Sequence, residues 1–255
     1  MSTITEYVRA HSIDEVLTAL AETTCRTQVI AGGTDLITRL KRGVLLADML
    51  PQHGVGIPTT EPTRVVDISN VRELDGIEVT PDGLRIGAAT RLADIEISPR
   101  LTGAWRVLAD GAARVGSPQI RNLATLGGNV CNASPAADTI PPLLVLDAAA
   151  EILSVRQRRV VPLSRFFVGP GRTVLEPGEL LAHLLIPRPP DGATALYLKH
   201  SPRQAMDLSV VGVAVLLARS AEGESGRWLG RIALGAVAPT PIRAWVAEDK
   251  FCSTA

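Results

Sequence analysis

Lysine is nearly missing from this chain. It occurs only at Lys41, Lys199 and Lys250, so arginine carries almost all of the positive charge. Cysteine is scarce as well: Cys25, Cys131 and Cys252 are odd in number and contain no CxxC pair. That excludes a disulfide framework and a metal or iron–sulfur site built from four thiolates, and it leads us to expect a reducing, cytoplasmic compartment. Neither charge sign is in excess, since Lys+Arg and Asp+Glu both total 26. A basic footprint for nucleic acid and an acidic solvating tail are thereby excluded. Long apolar runs are lacking too; Val210 to Ala218 is too short to span a bilayer. The start, Met1 to Glu6, has no charged segment followed by an apolar one, so no signal peptide is expected. No internal repeat or low-complexity tract stands out.

What remains is an ordinary globular composition. The 255 residues are 46% hydrophobic and 20% charged, enough for two modest domains or one large one. Ser12 followed by Glu15 and by Val16, Leu17 and Leu20 reads as a capped helix start. Thr27 to Ala31 reads as a strand, Leu36 to Arg42 as a helical turn closed by Gly43, and Arg64 to Ile68 as a strand. The Pro/Gly-rich connector Leu45 to Thr63 has no assigned role. Ile77 to Thr80 and Leu84 to Gly87 around Pro81-Asp82-Gly83 predict a hairpin. Helices are expected over Arg91 to Ile97 and Thr102 to Val115. Strands are expected over Ala149 to Val155, Val160 to Leu163, Leu180 to Ile186, Ala195 to Lys199 and Trp228 to Val237. Segregated strands and helices favour an α+β fold.

Two glycine-centred segments carry the chemistry: Ile30-Ala31-Gly32-Gly33-Thr34-Asp35-Leu36, and Arg121 through Thr125-Leu126-Gly127-Gly128-Asn129 to Asp138. Each sets bare backbone beside small hydroxyl and amide side chains. Glycine lets the main chain approach an anion, and successive N–H groups can turn toward it. Taken alone, each string also fits a tight turn or a bulged corner. Neither is GxGxxG in a βαβ unit or GxxxxGK[ST], so the Rossmann fingerprint and the P-loop are both excluded. Two such loops in one domain suggest a ligand held from both sides, and a dinucleotide fits that better than a lone phosphate.

With Val66-Asp67-Ile68, Gly87 to Thr90, Pro142 to Ala148, Glu179-Leu180-Leu181 and Tyr197-Leu198-Lys199, followed by Arg203 and Asp207, these segments closely resemble the FAD-binding medium subunit of the molybdenum hydroxylases. That is the xanthine dehydrogenase and carbon monoxide dehydrogenase family. The resemblance runs in order from about residue 4 to residue 243. It implies a flavin fold of the vanillyl-alcohol-oxidase (PCMH) type over 1–172, with subdomains of about 1–58 and 59–172. A C-terminal antiparallel-sheet domain over 173–255 would follow, the boundary lying near Gly169-Pro170-Gly171. Family members continue into a helical C-terminal segment. Here Trp245 to Ala255 lacks helical apolar periodicity, so that domain is expected to be irregular at its end and incomplete.

Carried over residue by residue, the resemblance gives Ile30, Ala31, Gly32, Gly33, Thr34, Asp35 and Leu36 to the FAD pyrophosphate. Ala124, Thr125, Gly128 and Asn129 would form the opposite wall, with Asn132 close by. Asp138 would accept from a ribose or ribityl hydroxyl, Leu181 would pack on the flavin, and Lys199 would lie near its polar edge. No metal site and no catalytic acid or base is implied, and His11, His53, His183 and His200 are expected at the surface or at strand edges. Relatives acting on hydroxybenzoyl-CoA insert a cysteine-rich cluster after the second glycine segment. This chain runs from Asn132 straight to Pro141-Pro142, so Cys131 is expected to be a small buried hydrophobe.

The implied role is an oxidoreductase subunit. Electrons would come from a molybdenum-cofactor large subunit through a two-iron two-sulfur small subunit to FAD, then pass to NAD, quinone or oxygen. Alternatives are a free-standing flavoprotein oxidoreductase and a flavin-free assembly or scaffold subunit. The substrate is left open among purines, aldehydes, N-heterocycles, aromatic acyl-CoA and carbon monoxide.

Overall fold

A computed structural model of the chain describes residues 4–22, 24–41, 63–203, 206–219 and 228–254. Most of the connector expected from Leu45 to Thr63, including His53, lies outside the described residues.

The chain opens with β1 (Ile4–Arg9), α1 (Ile13–Ala21), β2 (Arg26–Ile30), α2 (Leu36–Lys41) and β3 (Thr63–Asp67). The Ser12 hydroxyl accepts from the Glu15 N–H, and the Glu15 carboxylate reaches back to the His11 N–H at 2.8 Å. This reciprocal cap starts α1, which buries Val16, Leu17 and Ala19. The strands form a three-stranded sheet in the order β1-β3-β2, and both outer strands run parallel to β3. A parallel pair needs a crossover, and α1 supplies it between β1 and β2.

Next come β4 (Ile77–Thr80), β5 (Gly83–Gly87), α3 (Leu92–Glu96), α4 (Arg106–Ala113), α5 (Pro118–Arg121), α6 (Leu126–Asn132) and α7 (Ile140–Val145). They are followed by β6 (Ala149–Leu153), β7 (Arg158–Pro162), β8 (Phe167–Gly169), β9 (Arg172–Thr173) and β10 (Leu180–Pro187). The expected hairpin is β4–β5. The order β4-β5-β10-β6-β7 makes an antiparallel five-stranded sheet with β10 at its centre. Leu84, Ile86 and Leu184 from this sheet bury against Leu92, Ile95, Leu108, Leu126, Ile140 and Leu143 from the helices, giving the main core.

The strand β10 lies beyond the expected boundary near residue 172. A boundary near residue 172 would cut the central strand out of its own sheet, and Gly169 to Gly171 is simply the tip between β8 and β9. Likewise β3, beyond the expected subdomain edge at about residue 58, is the middle strand of the first sheet.

The last unit is β11 (Thr194–His200), β12 (Val211–Arg219), β13 (Trp228–Gly235), β14 (Ile242–Arg243) and α8 (Trp245–Thr254), its strands forming an antiparallel sheet in chain order. One face presents Tyr197, Ala214, Leu216 and Ala233 to the main core. The closing residues, expected to be irregular, are helical. Polar ties explain this better than apolar spacing does: Glu248 accepts from the Ile232 N–H at 2.7 Å and pairs with Arg243 at 2.6 Å.

Candidate functional site

A cavity of about 440 Å³ opens where the first sheet meets α6, within the usual range for a small-molecule site. One wall is the chain from Gln28 to Leu36, the end of β2 and the turn into α2, continued by Arg39. The other is Ala124, Thr125, Gly128, Asn129, Cys131 and Asn132. Ser134 and Ala136 to Asp138 form its floor, and Met206, Asp207 and Leu208 its rim. Thus Ile30, Ala31, Gly32, Gly33, Thr34, Asp35, Leu36, Ala124, Thr125, Gly128, Asn129, Asn132 and Asp138 come together around one cavity.

The walls meet backbone to backbone. A Cβ on Gly32 would lie 1.8 Å from the Leu123 carbonyl oxygen and 2.9 Å from the Ala124 nitrogen, so only glycine allows this closeness. Among the described residues, the N–H groups of Gly32, Gly33, Thr34 and Asp35 have no hydrogen-bond partner. Gly33, at φ +69°, lies in the left-handed region that favours glycine. Donors left open in a cavity wall are the chemistry an anion requires.

The second wall is built differently. Leu126 N–H donates to the Thr90 carbonyl and Gly127 N–H to the Ala88 carbonyl. Thr125 caps α6, its hydroxyl accepting from Gly128 N–H at 3.1 Å and its carbonyl from Asn129 N–H at 2.9 Å. A Cβ on Gly127 would strike Ala88 at 2.5 Å, whereas one on Gly128 would meet only the Thr125 hydroxyl at 2.9 Å. Gly127 is a packing glycine. Gly128 keeps the cavity side of α6 bare.

Asp138 lines the cavity and is also held from the C-terminal sheet. It is 5% exposed and takes hydrogen bonds from the Tyr197 hydroxyl at 2.7 Å, the Ser209 hydroxyl at 2.8 Å and the Lys199 ammonium at 2.8 Å. Most of its acceptor capacity is therefore committed to the C-terminal sheet rather than to a ligand hydroxyl. Burial, then the neighbouring Asp138 charge and hydrogen bond, push the Tyr197 hydroxyl far up, so it stays a donor. Lys199 lies off the cavity lining, held by Asp138 and by the Arg114 carbonyl. Leu181 is also off the lining, buried in the main core at 3% exposure. Both assignments had followed from the resemblance, and neither side chain lines this cavity.

Cys131, expected to be a small buried hydrophobe, packs partly buried against the main core on the cavity side of α6, and burial raises its thiol to about 12. His183, expected at an edge, is interior at 3% exposure. Its Nδ1 lies 2.7 Å from Glu151 Oε2 and its Nε2 lies 2.9 Å from the Glu73 carbonyl. Arg39 escaped the sequence reading altogether, because an arginine in a short helix has no motif to flag it. Among the described residues, no group of three or more His, Cys, Asp or Glu side chains could hold a metal ion.

Residues 3–189 match the family described as the FAD binding domain in molybdopterin dehydrogenase. The xanthine dehydrogenase FAD-binding subunit of Escherichia coli O157:H7 is 37% identical over 248 residues, covering 95% of this chain and 77% of that protein. The carbon monoxide dehydrogenase medium chain of Hydrogenophaga pseudoflava is 29% identical over 238 residues, covering 93% of this chain and 76% of that one. The solved structure of reconstituted CO dehydrogenase from Oligotropha carboxidovorans superposes with a TM-score of 0.85 at 28% identity, covering all of this chain and 82% of that one. The matched span includes both glycine walls and the whole five-stranded sheet, and the chain belongs to the family of FAD-binding domains of molybdopterin dehydrogenases.

Proposed function

We propose that this chain is the FAD-carrying subunit of a molybdenum-dependent hydroxylase or dehydrogenase complex. In this role it receives electrons from the iron–sulfur centres of a partner and hands them to an external acceptor. The observation that carries the reading is the row of open amides at Gly32, Gly33, Thr34 and Asp35 facing the bare Gly128 surface of α6. These amides would donate to the pyrophosphate, the wall from Ala124 to Asn132 would limit how the dinucleotide lies, and the floor would set its depth.

The flavin supplies the redox chemistry, and the protein supplies binding and orientation. No acid–base dyad is required of the chain's own side chains. Its partners would be a molybdenum-cofactor large subunit and a two-iron two-sulfur small subunit. NAD, quinone or oxygen would be the acceptor, and the complex would work in the cytoplasm. No helix among the described residues is long and apolar enough to cross a membrane.

The experiment is an absorbance spectrum of the purified chain with chromatography of the nucleotide that heat releases. A yellow protein yielding FAD supports the reading. A colourless protein that also fails to take up added FAD overturns it and returns the flavin-free scaffold to first place.

A further inference from the structure

We propose that Arg39 is the cationic anchor of the dinucleotide's phosphates, an inference that rests on the FAD reading above. Arg39 is the only cationic side chain among the described residues lining the cavity, which also carries the carboxylates of Asp35, Asp138 and Asp207. Asp138 is balanced by Lys199 behind the lining, so without Arg39 a pyrophosphate would face the carboxylates of Asp35 and Asp207 with no cationic side chain in the lining to offset them. Coulomb repulsion of that kind must be offset by a positive charge or by many dipoles.

The bonding of Arg39 suits that role. Arg64, Arg85, Arg121, Arg159 and Arg243 each meet a carboxylate. Arg39 forms no ion pair among the described residues; its guanidinium donates instead to the side-chain carbonyl of Asn132, across the cavity on α6. A guanidinium whose charge is not cancelled, held at the mouth between the two walls, is poised to exchange a neutral amide for a phosphate. Its planar fork suits two phosphate oxygens at once, and a charge-assisted bond is stronger than the one it replaces. Its backbone N–H is tied to the Asp35 carbonyl at 3.0 Å. The side chain therefore springs from the same turn that presents the open amides, and donors and cation would converge on one phosphate group.

The test titrates the full, flavin-free chain with FAD, ADP and riboflavin at low and high salt, comparing wild type with Arg39→Met and Arg39→Lys. Arg39→Met is expected to weaken FAD and ADP by about 10- to 100-fold. Riboflavin, which has no phosphate, should be unaffected, and the salt dependence of FAD binding should flatten. Arg39→Lys should restore part of the affinity. Arg39→Met binding FAD as wild type does, with the same salt dependence, would overturn the inference and leave the FAD reading standing. Riboflavin losing as much affinity as FAD in Arg39→Met would also overturn it, by reducing the arginine to a strut between the walls. A wild-type chain that binds no FAD overturns the FAD reading and this inference together.

Discussion

Along Gly32 to Asp35 the backbone donors are unspent, whereas from Leu126 to Asn129 every amide is tied to Thr90, Ala88 or the Thr125 cap. Both segments carry paired glycines and both line the same cavity. The difference lies in what glycine is for. In the first segment, Gly32 lets the turn press on Leu123 and Ala124, and the neighbouring amides then point at whatever fills the cavity. In the second, Gly127 lets α6 press on Ala88, and Gly128 keeps its exposed side clear. One wall donates, and the other is a rigid, bare surface whose own polar groups are already satisfied. A ligand with a central anion and two flat ends suits such a pair, since the anion needs the donors and the rest needs a fixed boundary.

Flavin retention is the readout that separates the two walls, and Gly32→Ala should disturb it most. The added Cβ would sit 1.8 Å from one backbone atom and 2.5 Å from another, neither at the end of a flexible side chain. The turn must lift off Leu123 and Ala124, at a cost of about 1–3 kcal/mol of overpacking and with loss of the donor geometry. We expect a lowered melting temperature and no bound FAD. Gly128→Val should match it in flavin loss but not in stability, because its Cβ meets only the Thr125 hydroxyl at 2.9 Å and the branches project into the cavity. Circular dichroism and flavin content on the same samples check both variants. A Gly128→Val protein with full FAD occupancy would remove the second wall from the site.

That division of labour was hidden in the sequence for a physical reason. Whether an amide is free depends on acceptors far away in the chain: the carbonyls of Ala88 and Thr90 are supplied by the turn after β5. Short-range signals read well, as with the Ser12–Glu15 cap, the hairpin around Pro81 to Gly83 and the glycine strings themselves. Long-range pairings did not. The short apolar run from Leu180 to Ile186 predicts β10 as a strand but cannot say which sheet it centres, and nothing local marks β1 and β2 as parallel partners of β3. His183 looked like an edge residue because Glu73 and Glu151, which enclose it, are distant in sequence. The resemblance named the cavity wall residues, yet it had no means to show Lys199 and Asp138 satisfying each other.

The corner around Asp138 sharpens the contrast from outside the walls. Asp138→Ala would strand the buried Lys199 ammonium beside two hydroxyls, and removing one partner of a buried pair costs about 3–5 kcal/mol. The expected result is a large fall in stability with flavin weakened only through the displaced floor. A melt of Asp138→Ala against an Asp138→Ala, Lys199→Met double variant checks it, since removing the stranded charge should recover part of the loss. Asp138→Ala with wild-type stability and sharply reduced FAD affinity would instead return the carboxylate to the ligand.

The mildest change should be Thr125→Ala, and it bears most directly on whether the second wall donates to the ligand at all. The hydroxyl of Thr125 takes the Gly128 N–H as the cap of α6. Its removal costs about 1 kcal/mol, as for other caps, and leaves that amide open toward the cavity. If the wall works as a bare boundary, the freed donor has little to offset, and FAD affinity should stay within about threefold of wild type, a shift of less than 1 kcal/mol. If the hydroxyl itself contacts the ligand, affinity should fall by well over tenfold while stability changes by the same modest amount. Isothermal titration alongside a thermal melt distinguishes the two, because the first predicts a stability loss without an affinity loss and the second predicts both. The open amides of Gly32 to Asp35 already supply donors from the facing turn, so we expect the first.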